Sequence, residues 1–467
     1  MTSFWLVFLE EGSSIVLLCN SNFVYLSSMT DGGYAAMNPG AVGKGEDPLP
    51  LLDHNEYNLS RYFPSGTMYF YSFPAGEESG FFNSVPTWVE ELVAGRPLLC
   101  AGPNIKVLTF AAVYAPNILG LLSEMGVSPL GKDQVIVMPE IIDANVVGKD
   151  RNQMVKAAIK DLKCVNNLVM AQPFTDQDLR SAYQIEPVTT VWLNDKENLS
   201  DYIPAQHLPK EYFHFFSGKE FSASIDKVPL PCVVKMTSSS AGDGVRICHT
   251  PEDLMGAKDA FGNLDGHVMV YEFIQSTHNF CIQFGVPADS SKEIEIIGFN
   301  EQLIGKCGEF LGGMVTPQFD RPELHKVFAL MKEEILPKVR AKGWYGVGGL
   351  DVLMNEKGDF FFIDPNFRMT ATFVFVCQVR NKQIKKSLLG FTGMFKGTEA
   401  EFREKILPIS KLGTPEQCLN IASLTYSLGV FRFNAALVFD ETMPKEKVAK
   451  KLLDLGVQST TLECLCN

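Results

Sequence analysis

One run of the sequence, GGLDVLMNEKGDFFFIDPNFR, places Asp351 on one side of an expected turn and Asp364 and Asn366 on the other. A two-residue turn at Lys357 and Gly358 would make this run a β-hairpin and place Asp351 opposite Asp364, with Cβ atoms about 5 Å apart. Asn366 lies two residues beyond Asp364, hence on the same face. Facing like charges destabilise a sheet unless a cation lies between them, and oxygen ligands of this kind suit Mg²⁺. The spacing predicts a magnesium site, although a solvated hairpin explains it equally well and a register shift of one residue would separate the aspartates.

A lysine at the end of an apolar strand marks a second candidate site. Lys235 ends the predicted strand PCVVKMT, and the polar loop SSSAGDG follows it. Successive backbone N–H groups in such a loop can form a concave anion site, to which a lysine adds positive charge for phosphate. Taken alone, the composition is more typical of an ordinary hairpin loop.

A second lysine lies at the start of a predicted helix, NDKENLSDYI. Asn194 is the expected cap, and Glu197 three residues later completes a capping box. Because the helix dipole disfavours a cation at this end, Lys196 either points into solvent or shares an anionic ligand with the helix N-terminus.

Other catalytic motifs fail on spacing. The run NPGAVGKG has Asn38 where a Walker A loop needs glycine, and Gly45 where it needs serine or threonine. The sequence has neither G-x-S-x-G nor H-E-x-x-H, and its 11 cysteines form no CxxC pair. Of the seven histidines, His278 is the one near these motifs. A single histidine is more often structural than catalytic.

Composition indicates a globular protein of about three domains. The chain has 467 residues, of which 46% are hydrophobic and 20% charged, and a domain takes roughly 100–200 residues. The net charge of −13 opposes nucleic-acid binding. No apolar run approaches the ~20 residues of a membrane-spanning helix, and no basic region precedes the N-terminal apolar residues. We therefore expect a cytoplasmic protein with reduced cysteines and neither nucleic-acid nor membrane partners.

The order of elements predicts the α/β (α+β) class. Apolar runs such as TMYFYSF alternate with helical patterns such as VPTWVEELVAG, which predicts an N-terminal α/β domain over residues 1–185. Residues 29–53 read as a long surface loop. Strands are expected at PCVVKMT, VRICHT, HVMVYEFI and VFRFNAALVFD. Helices are expected from Thr250, across 321–342, in TPEQCLNIASL and in PKEKVAKKLLDLG.

Read in order, these motifs resemble the ATP-grasp superfamily. Its pattern is a lysine before a lid, a lysine-ended strand with a Gly/Ser loop, a hinge strand and a metal-binding hairpin. Here the pattern is Lys196, VVKMTSSSAGDGV, VMVYEFI and GLDVLMNEKGDFFFIDPNFR, within residues 190–385. With its large N-terminal domain, the chain is similar to peptide ligases of the D-alanine–D-alanine ligase type. It is similar too to pre-ATP-grasp amide ligases of natural-product pathways.

The resemblance implies a division of the chain into four parts. Residues 1–185 would be a pre-ATP-grasp domain, 186–270 the lid subdomain and 271–390 the catalytic subdomain. Residues 391–467 would be a C-terminal α/β extension that completes the catalytic domain.

The resemblance also implies ATP and Mg²⁺ as cofactors and a role for each motif residue. Lys196 and Lys235 would contact the ATP phosphates, and Arg368 would neutralise the transferred phosphoryl group or a substrate carboxylate. The implied metal ligands are Asp351, Asp364 and Asn366. The implied nucleotide contacts in the lid loop, the hinge and the ribose position are Ser238, Ser239, Ser240, Gly242, Gly244, Glu272, Phe273, Ile274 and Asn279.

Three positions depart from the family pattern. The family usually has glutamate where Asp364 stands, and often an acidic residue where Asn279 stands. Some members have an arginine two residues before the first metal carboxylate, where this sequence has Gly349. Arg368 or another arginine must then take that role.

The resemblance implies an ADP-forming carboxylate–amine ligase. A substrate carboxylate would take the γ-phosphoryl group of ATP to give an acyl phosphate, and an amine would displace phosphate to form an amide. The implied substrates are amino acids or peptides, and a homodimer is the default state for such enzymes. Two alternatives stay open: loading of an acyl group onto a carrier-protein thiol, and a degenerate ATP-grasp module that acts through protein contacts.

Overall fold

The chain divides into two compact units, Met1–Leu51 and Leu52–Asn467, in a computed structural model. The structure describes residues 5–7, 14–19, 22–27, 56–72, 87–138, 149–237, 244–305, 310–382 and 384–466. The first unit contains an antiparallel sheet whose strands, in order, are β1 (Trp5–Val7), β2 (Ser14–Cys19) and β3 (Asn22–Ser27). The loop predicted over 29–53 lies outside the described residues.

A parallel four-stranded sheet begins the second unit. Its strands are β4 (Met68–Phe70), β5 (Lys106–Thr109), β6 (Val135–Val137) and β7 (Leu168–Met170), in the order β6-β5-β4-β7. Because parallel neighbours need crossover connections, helices separate these strands along the chain. They are α1 (Thr87–Ala94), α2 (Pro116–Glu124) and α3 (Lys149–Asp161). This is the N-terminal α/β arrangement that the sequence predicts.

Short helices carry the chain from this sheet to the next one. They are α4 (Pro187–Asn194), a 3₁₀ turn (Lys196–Asn198) and α5 (Leu199–Tyr202). The prediction that Asn194 caps this region is wrong, because Asp195 accepts the Glu197 N–H at 3.1 Å. Asn194 instead ends α4, and its Oδ1 accepts the N–H of Phe367 at 2.9 Å. The asparagine thereby anchors the Lys196 segment beside the predicted metal hairpin.

A small antiparallel sheet follows. Its strands are β8 (Glu211–Phe215), β9 (Cys232–Met236), β10 (Val245–Cys248) and β11 (Val268–Glu272), in the order β10-β9-β11-β8. Its helices are α6 (Gly218–Ala223) and α7 (Pro251–Phe261). Phe221 and Phe261 on these helices are fully buried in one cluster with Val234 of β9. Helix α7 begins as predicted, with a capping box formed by Thr250 and Asp253.

The largest sheet is antiparallel throughout. Its strands are β12 (His278–Val286), β13 (Glu295–Ile304), β14 (Phe310–Val315), β15 (Gly346–Met354), β16 (Phe360–Asn366), β17 (Ser387–Lys396), β18 (Leu419–Ser427), β19 (Val430–Phe439) and β20 (Val457–Gln458). The order is β16-β15-β12-β13-β14-β17-β19-β18, with β20 paired to β17. The helices around it are α8 (His325–Leu330), a π segment (Met331–Ile335), α9 (Leu336–Ala341), α10 (Phe373–Lys382), α11 (Glu399–Lys405), α12 (Leu407–Ser410), α13 (Lys445–Asp454) and α14 (Thr460–Cys466).

One predicted helix is wrong, and another is present but interrupted. The run TPEQCLNIASL is not a helix, because from Leu419 onward it forms β18. Residues 419–425 are all buried, and periodicity does not separate a fully buried strand from a buried helix. The helix over 321–342 exists, with Leu324, Met331 and Ile335 fully buried, but a π segment divides it.

The predicted domain boundaries stay predictions. Strand β17 crosses residue 390, and β18–β20 continue the sheet that contains β12–β16. No helix in the described ranges is long and apolar enough to cross a membrane. The cysteines recorded in those ranges are free thiols, of which Cys464 and Cys466 are exposed.

Candidate active site

The β15–β16 hairpin places Asp351 directly opposite Asp364. The predicted register is therefore right at this end, but the predicted turn is wrong. Asn355 donates its N–H to the Asp359 carbonyl at 3.0 Å, so three residues form the turn, and Gly358 supplies its positive φ of 79°. The register then shifts between Asp351 and Val352. The shift leaves Ile363 as the extra residue of a β-bulge.

The bulge decides which way the second carboxylate points. Phe360 and Phe362 face the core and are 7% and 0% exposed, and strict alternation would send Asp364 to their face. The extra residue turns Asp364 to the opposite face, where Asp351 lies. The bulge also presents the Ile363 carbonyl to Lys235, whose Nζ donates to it at 3.1 Å.

Both predicted phosphate lysines reach this point. Lys196 Nζ lies 2.9 Å from Asp364 Oδ1, and the two side chains are 5% and 28% exposed. Lys235 is 8% exposed. Burial, together with the charge of Lys196, lowers the pKa of Lys235 to about 8, and the charges of Asp364 and Asp351 oppose this shift. Two cations and two anions thus share one partly desolvated site.

Asp351 is a carboxylate whose ionised form is destabilised by its surroundings. Burial and the facing charge of Asp364 together raise its pKa to about 7. Its Oδ1 is buried and has no hydrogen-bond partner within the described ranges. A buried, unpartnered carboxylate oxygen facing a second carboxylate is the arrangement that a divalent cation would complete. The donor set therefore fits Mg²⁺.

Asn366 and Arg368 extend the same edge. Arg368 Nη1 donates to Asn366 Oδ1. An amide oxygen has two lone pairs, so Asn366 can accept from Arg368 and still ligate a cation. Gly349 faces Asn366, and a Cβ there would lie 2.6 Å from Thr370 Cγ2. Position 349 has no room for the arginine that some ATP-grasp proteins carry.

The predicted hinge and ribose residues lie where β11 ends and β12 begins. Glu272 pairs with Lys210 through backbone and side chain, at 2.9 and 2.7 Å. The amides of Phe273 and Ile274 donate no backbone hydrogen bond to any described residue. Asn279 faces Leu353 across β12 and β15, on the face that carries Asp351. Its Oδ1 is buried and has no hydrogen-bond partner in the described part of the chain. It lies about 7 Å along the sheet from the Asp351 row.

The predicted lid loop is described only at its end. Ser238, Ser239, Ser240 and Gly242 lie outside the described residues. The Gly244 carbonyl accepts the Met236 N–H at 2.8 Å, which continues the β9–β10 hairpin. The phosphate contacts implied for this loop stay predictions.

Sequence reasoning missed a second arginine whose charge interacts with that of Arg368. Arg96 Nε donates to Asn434 Oδ1 at 2.7 Å, and its guanidinium lies 5.6 Å from the Tyr71 ring centroid. Burial lowers the pKa of Arg96, and the nearby charge of Arg368 contributes. These residues come from distant segments, so no local pattern joins them. The one local signal is an arginine within the apolar run AGRPLLCA.

Comparison with known proteins agrees with this geometry. Residues 212–366 match the family model described as "L-aspartate–L-methionine ligase, ATP grasp". We call this matched segment the ATP-grasp domain. The ATP-grasp domain contains Lys235, the hinge and the β15–β16 hairpin, and Lys196 lies before it. The resemblance predicted from the ordered motifs is confirmed.

Curated relatives match about a third of the chain. A D-alanine–D-alanine ligase from Trichlorobacter lovleyi is 28% identical over 138 residues, 29% of this chain and 43% of that protein. Biotin carboxylase 2 from Populus trichocarpa is 28% identical over 161 residues, 33% of this chain and 29% of that protein. The chain thus spans less than half the length of either relative.

A solved structure extends the likeness beyond the ATP-grasp domain. The ADP complex of an N5-carboxyaminoimidazole ribonucleotide synthetase has a TM-score of 0.51 and 11% identity. The match covers 85% of this chain and 98% of that protein. At this identity the likeness concerns the fold alone.

Proposed function

We propose that this chain is an ATP-dependent ligase that joins a carboxylate to an amine and forms ADP. The observation that carries the proposal is the facing pair Asp351 and Asp364, with Lys196 and Lys235 both within reach of it. Two carboxylates held together on a sheet face cost stability, and a metal–phosphate ligand would relieve that cost. ATP with Mg²⁺ is the typical pair for the ATP-grasp family.

Each residue then has a task set by its position. Asp351, Asp364 and Asn366 would hold Mg²⁺, which when bound neutralises phosphate charge and orients the transferred group. Lys196 and Lys235 would bind phosphate oxygens with charges already desolvated, so little reorganisation is needed. Asn279 would hydrogen-bond a ribose hydroxyl, and the amides of Phe273 and Ile274 would hold the base.

The two arginines are suited to bind the substrate carboxylate. The charge of Arg368 contributes to the lowered pKa of Arg96, and an anionic group between the two arginines would relieve their repulsion. We assign this place to a substrate carboxylate, which takes the γ-phosphoryl group and then transfers its acyl group as an amine displaces phosphate. Positioning and charge neutralisation do the catalytic work.

We infer amino acids as the substrate class. The matching family description names an aspartate–methionine ligase, and a curated relative is named a D-alanine–D-alanine ligase. Each name describes the joining of two amino acids. A cytoplasmic homodimer in a natural-product pathway, or a carrier-protein acceptor, stays an expectation from the sequence.

The test is ADP release from Mg·ATP in the presence of single and paired amino acids, with products identified by mass spectrometry. ADP release that needs two amino acids, with a dipeptide mass, is the expected result. Release that depends on bicarbonate or on a thiol acceptor would replace this assignment with another ligase chemistry.

A variant pair tests the site itself. Asp364→Ala should lower ADP release at least about 100-fold, because no neighbouring described carboxylate can replace this ligand. Glu356→Ala is the matched control, since Glu356 is exposed in the turn of the same hairpin. Near-parental turnover by Asp364→Ala would remove the hairpin from the active site.

A further inference from the structure

Two histidines and a glutamate outside the ATP-grasp motifs converge on one point. His214 Nε2 lies 3.1 Å from Glu197 Oε1 and 3.3 Å from His267 Nδ1. His267 Nδ1 also contacts the same Glu197 oxygen. In the part of the chain that the structure describes, this is the one group of three His, Cys, Asp or Glu side chains that meets so closely.

The backbone directs all three side chains to this point. His214 on β8 faces Met269 on β11, and His267 precedes Met269 by two residues. The two histidines therefore lie on one face of the small sheet as diagonal neighbours. Glu197 approaches that face from the 3₁₀ turn, whose start is fixed by the Asp195 cap. The Glu197, His214 and His267 side chains are 25%, 28% and 38% exposed.

Two of the three separations between the donor atoms suit a tetrahedral metal ion. Zinc–ligand bonds of 2.0–2.1 Å give a ligand–ligand edge of about 3.3 Å in a tetrahedron. The separations of His214 Nε2 from its two neighbours, 3.1 and 3.3 Å, agree with this edge. Imidazole nitrogen favours zinc-like transition metals, whereas Mg²⁺ takes oxygen ligands.

We propose that Glu197, His214 and His267 form a second metal site, for Zn²⁺ or a similar transition-metal ion. The fourth coordination position would be open to water. The site is separate in chemistry from the oxygen-only set of Asp351, Asp364 and Asn366.

An exposed aromatic residue lies over this cluster. Phe216 is 68% exposed, and its ring centroid lies 5.4 Å from that of His214 and 5.2 Å from that of His267. An apolar group beside a metal site limits solvent access to the ligands and lowers the local dielectric constant. This role accounts for a large apolar side chain on an otherwise accessible surface.

The metal would fix the position of Lys196 relative to Lys235. Glu197 follows Lys196 in the chain. Met269 faces His214 on one side and Lys235 on the other, so Lys235 lies in the same row, about 10 Å from His214. The ion would fix the Lys196 segment against the sheet face that carries Lys235. This proposal needs no ligase activity and can be tested without nucleotide.

The experiment uses the full chain with Cys464→Ser and Cys466→Ser, because these exposed thiols would also bind zinc. After chelator treatment, Co²⁺ and then Zn²⁺ are titrated in excess Mg²⁺. We expect one equivalent bound, tetrahedral Co²⁺ absorption without a thiolate band, and a higher Tm. His267→Gln and Glu197→Gln should weaken binding at least about 100-fold. His325→Gln is the matched control, since His325 is 58% exposed and pairs with Asp320 elsewhere.

Two outcomes would overturn the proposal. Absence of binding at micromolar metal would leave the cluster as a hydrogen-bonded network of two imidazoles on one carboxylate. Unchanged affinity in His267→Gln would place the metal elsewhere. The Tm of each metal-free variant verifies folding, and Glu197→Gln, which keeps the size of the side chain, decides the question if a histidine variant fails to fold.

Discussion

The affinity of the free protein for Mg·ADP should have a narrow pH optimum. Asp351 must be ionised to ligate a metal, so affinity falls as the pH drops through its pKa of about 7. Lys235 must be charged to bind phosphate, so affinity also falls as the pH rises through its pKa of about 8. The fraction of protein with Asp351 ionised and Lys235 protonated is largest near pH 7.5. It is roughly sixfold lower at pH 6, and roughly sixfold lower at pH 9.

Calorimetric titration of Mg·ADP between pH 5.5 and 9.5 measures this profile. Lys235→Arg removes the titrating amine and keeps the charge, so the alkaline limb should move out of range. Lys357→Arg is the matched control, because Lys357 is exposed in the hairpin turn. Asp351→Asn should bind Mg·ADP more weakly, and its affinity should no longer fall at low pH. This result would show that the acid limb comes from Asp351 and not from titration of the nucleotide.

Two results would refute the reasoning. Affinity that stays constant from pH 7 down to pH 5.5 would mean that Asp351 is not desolvated beside Asp364. An alkaline limb that persists in Lys235→Arg would mean that another group titrates there, and that burial has not lowered the pKa of Lys235.

The energetic cost of the buried Asp351 charge predicts that its removal stabilises the metal-free protein while it weakens metal binding. In the metal-free protein, Asp351→Asn should raise the free energy of unfolding at pH 8 by roughly 2–4 kcal/mol, because the pKa of Asp351 rises from 3.8 to about 7 on folding and each unit is worth about 1.4 kcal/mol. Denaturant unfolding should show almost none of this gain at about pH 3, which lies below both pKa values, because the carboxyl is then mostly protonated in both states. Gly349→Ala should lower stability by about 1–3 kcal/mol, because its Cβ would meet Thr370 Cγ2 at 2.6 Å and Cys281 Sγ at 2.7 Å. Gly120→Ala in α2 is its control: with no atom within 4 Å, it should be neutral or stabilising by up to about 1 kcal/mol, and equal losses in both variants would show that packing at Gly349 is not the cause.

The sequence predicts best where the chemistry is local. Asp351 and Asp364 belong to one hairpin, so counting from a turn brings them together. The count succeeds through two opposite deviations: the turn has one residue more than expected, and the Ile363 bulge restores the register. Neither deviation is visible in the sequence, because bulges follow from packing and twist on the assembled sheet.

Contacts between distant segments were beyond prediction. Arg96 meets Asn434 and Tyr71 across three parts of the chain, and His214 and His267 meet Glu197 only once β8 and β11 pair. The helix predicted in TPEQCLNIASL fails for a related reason. Burial on both faces of β18 comes from neighbours that the local pattern does not contain.

The continuity of the large sheet sets a lower limit on any useful fragment of this protein. The ATP-grasp match ends at residue 366, so a fragment that ends there is an obvious choice for expression. Such a fragment would strip β17 from β14, where Gly313, Met314 and Val315 pair with Gly390, Leu389 and Leu388. An uncovered edge with apolar side chains and unpaired backbone groups recruits other chains. A truncated protein should therefore aggregate, and expression for crystallography or screening should retain the C-terminal strands.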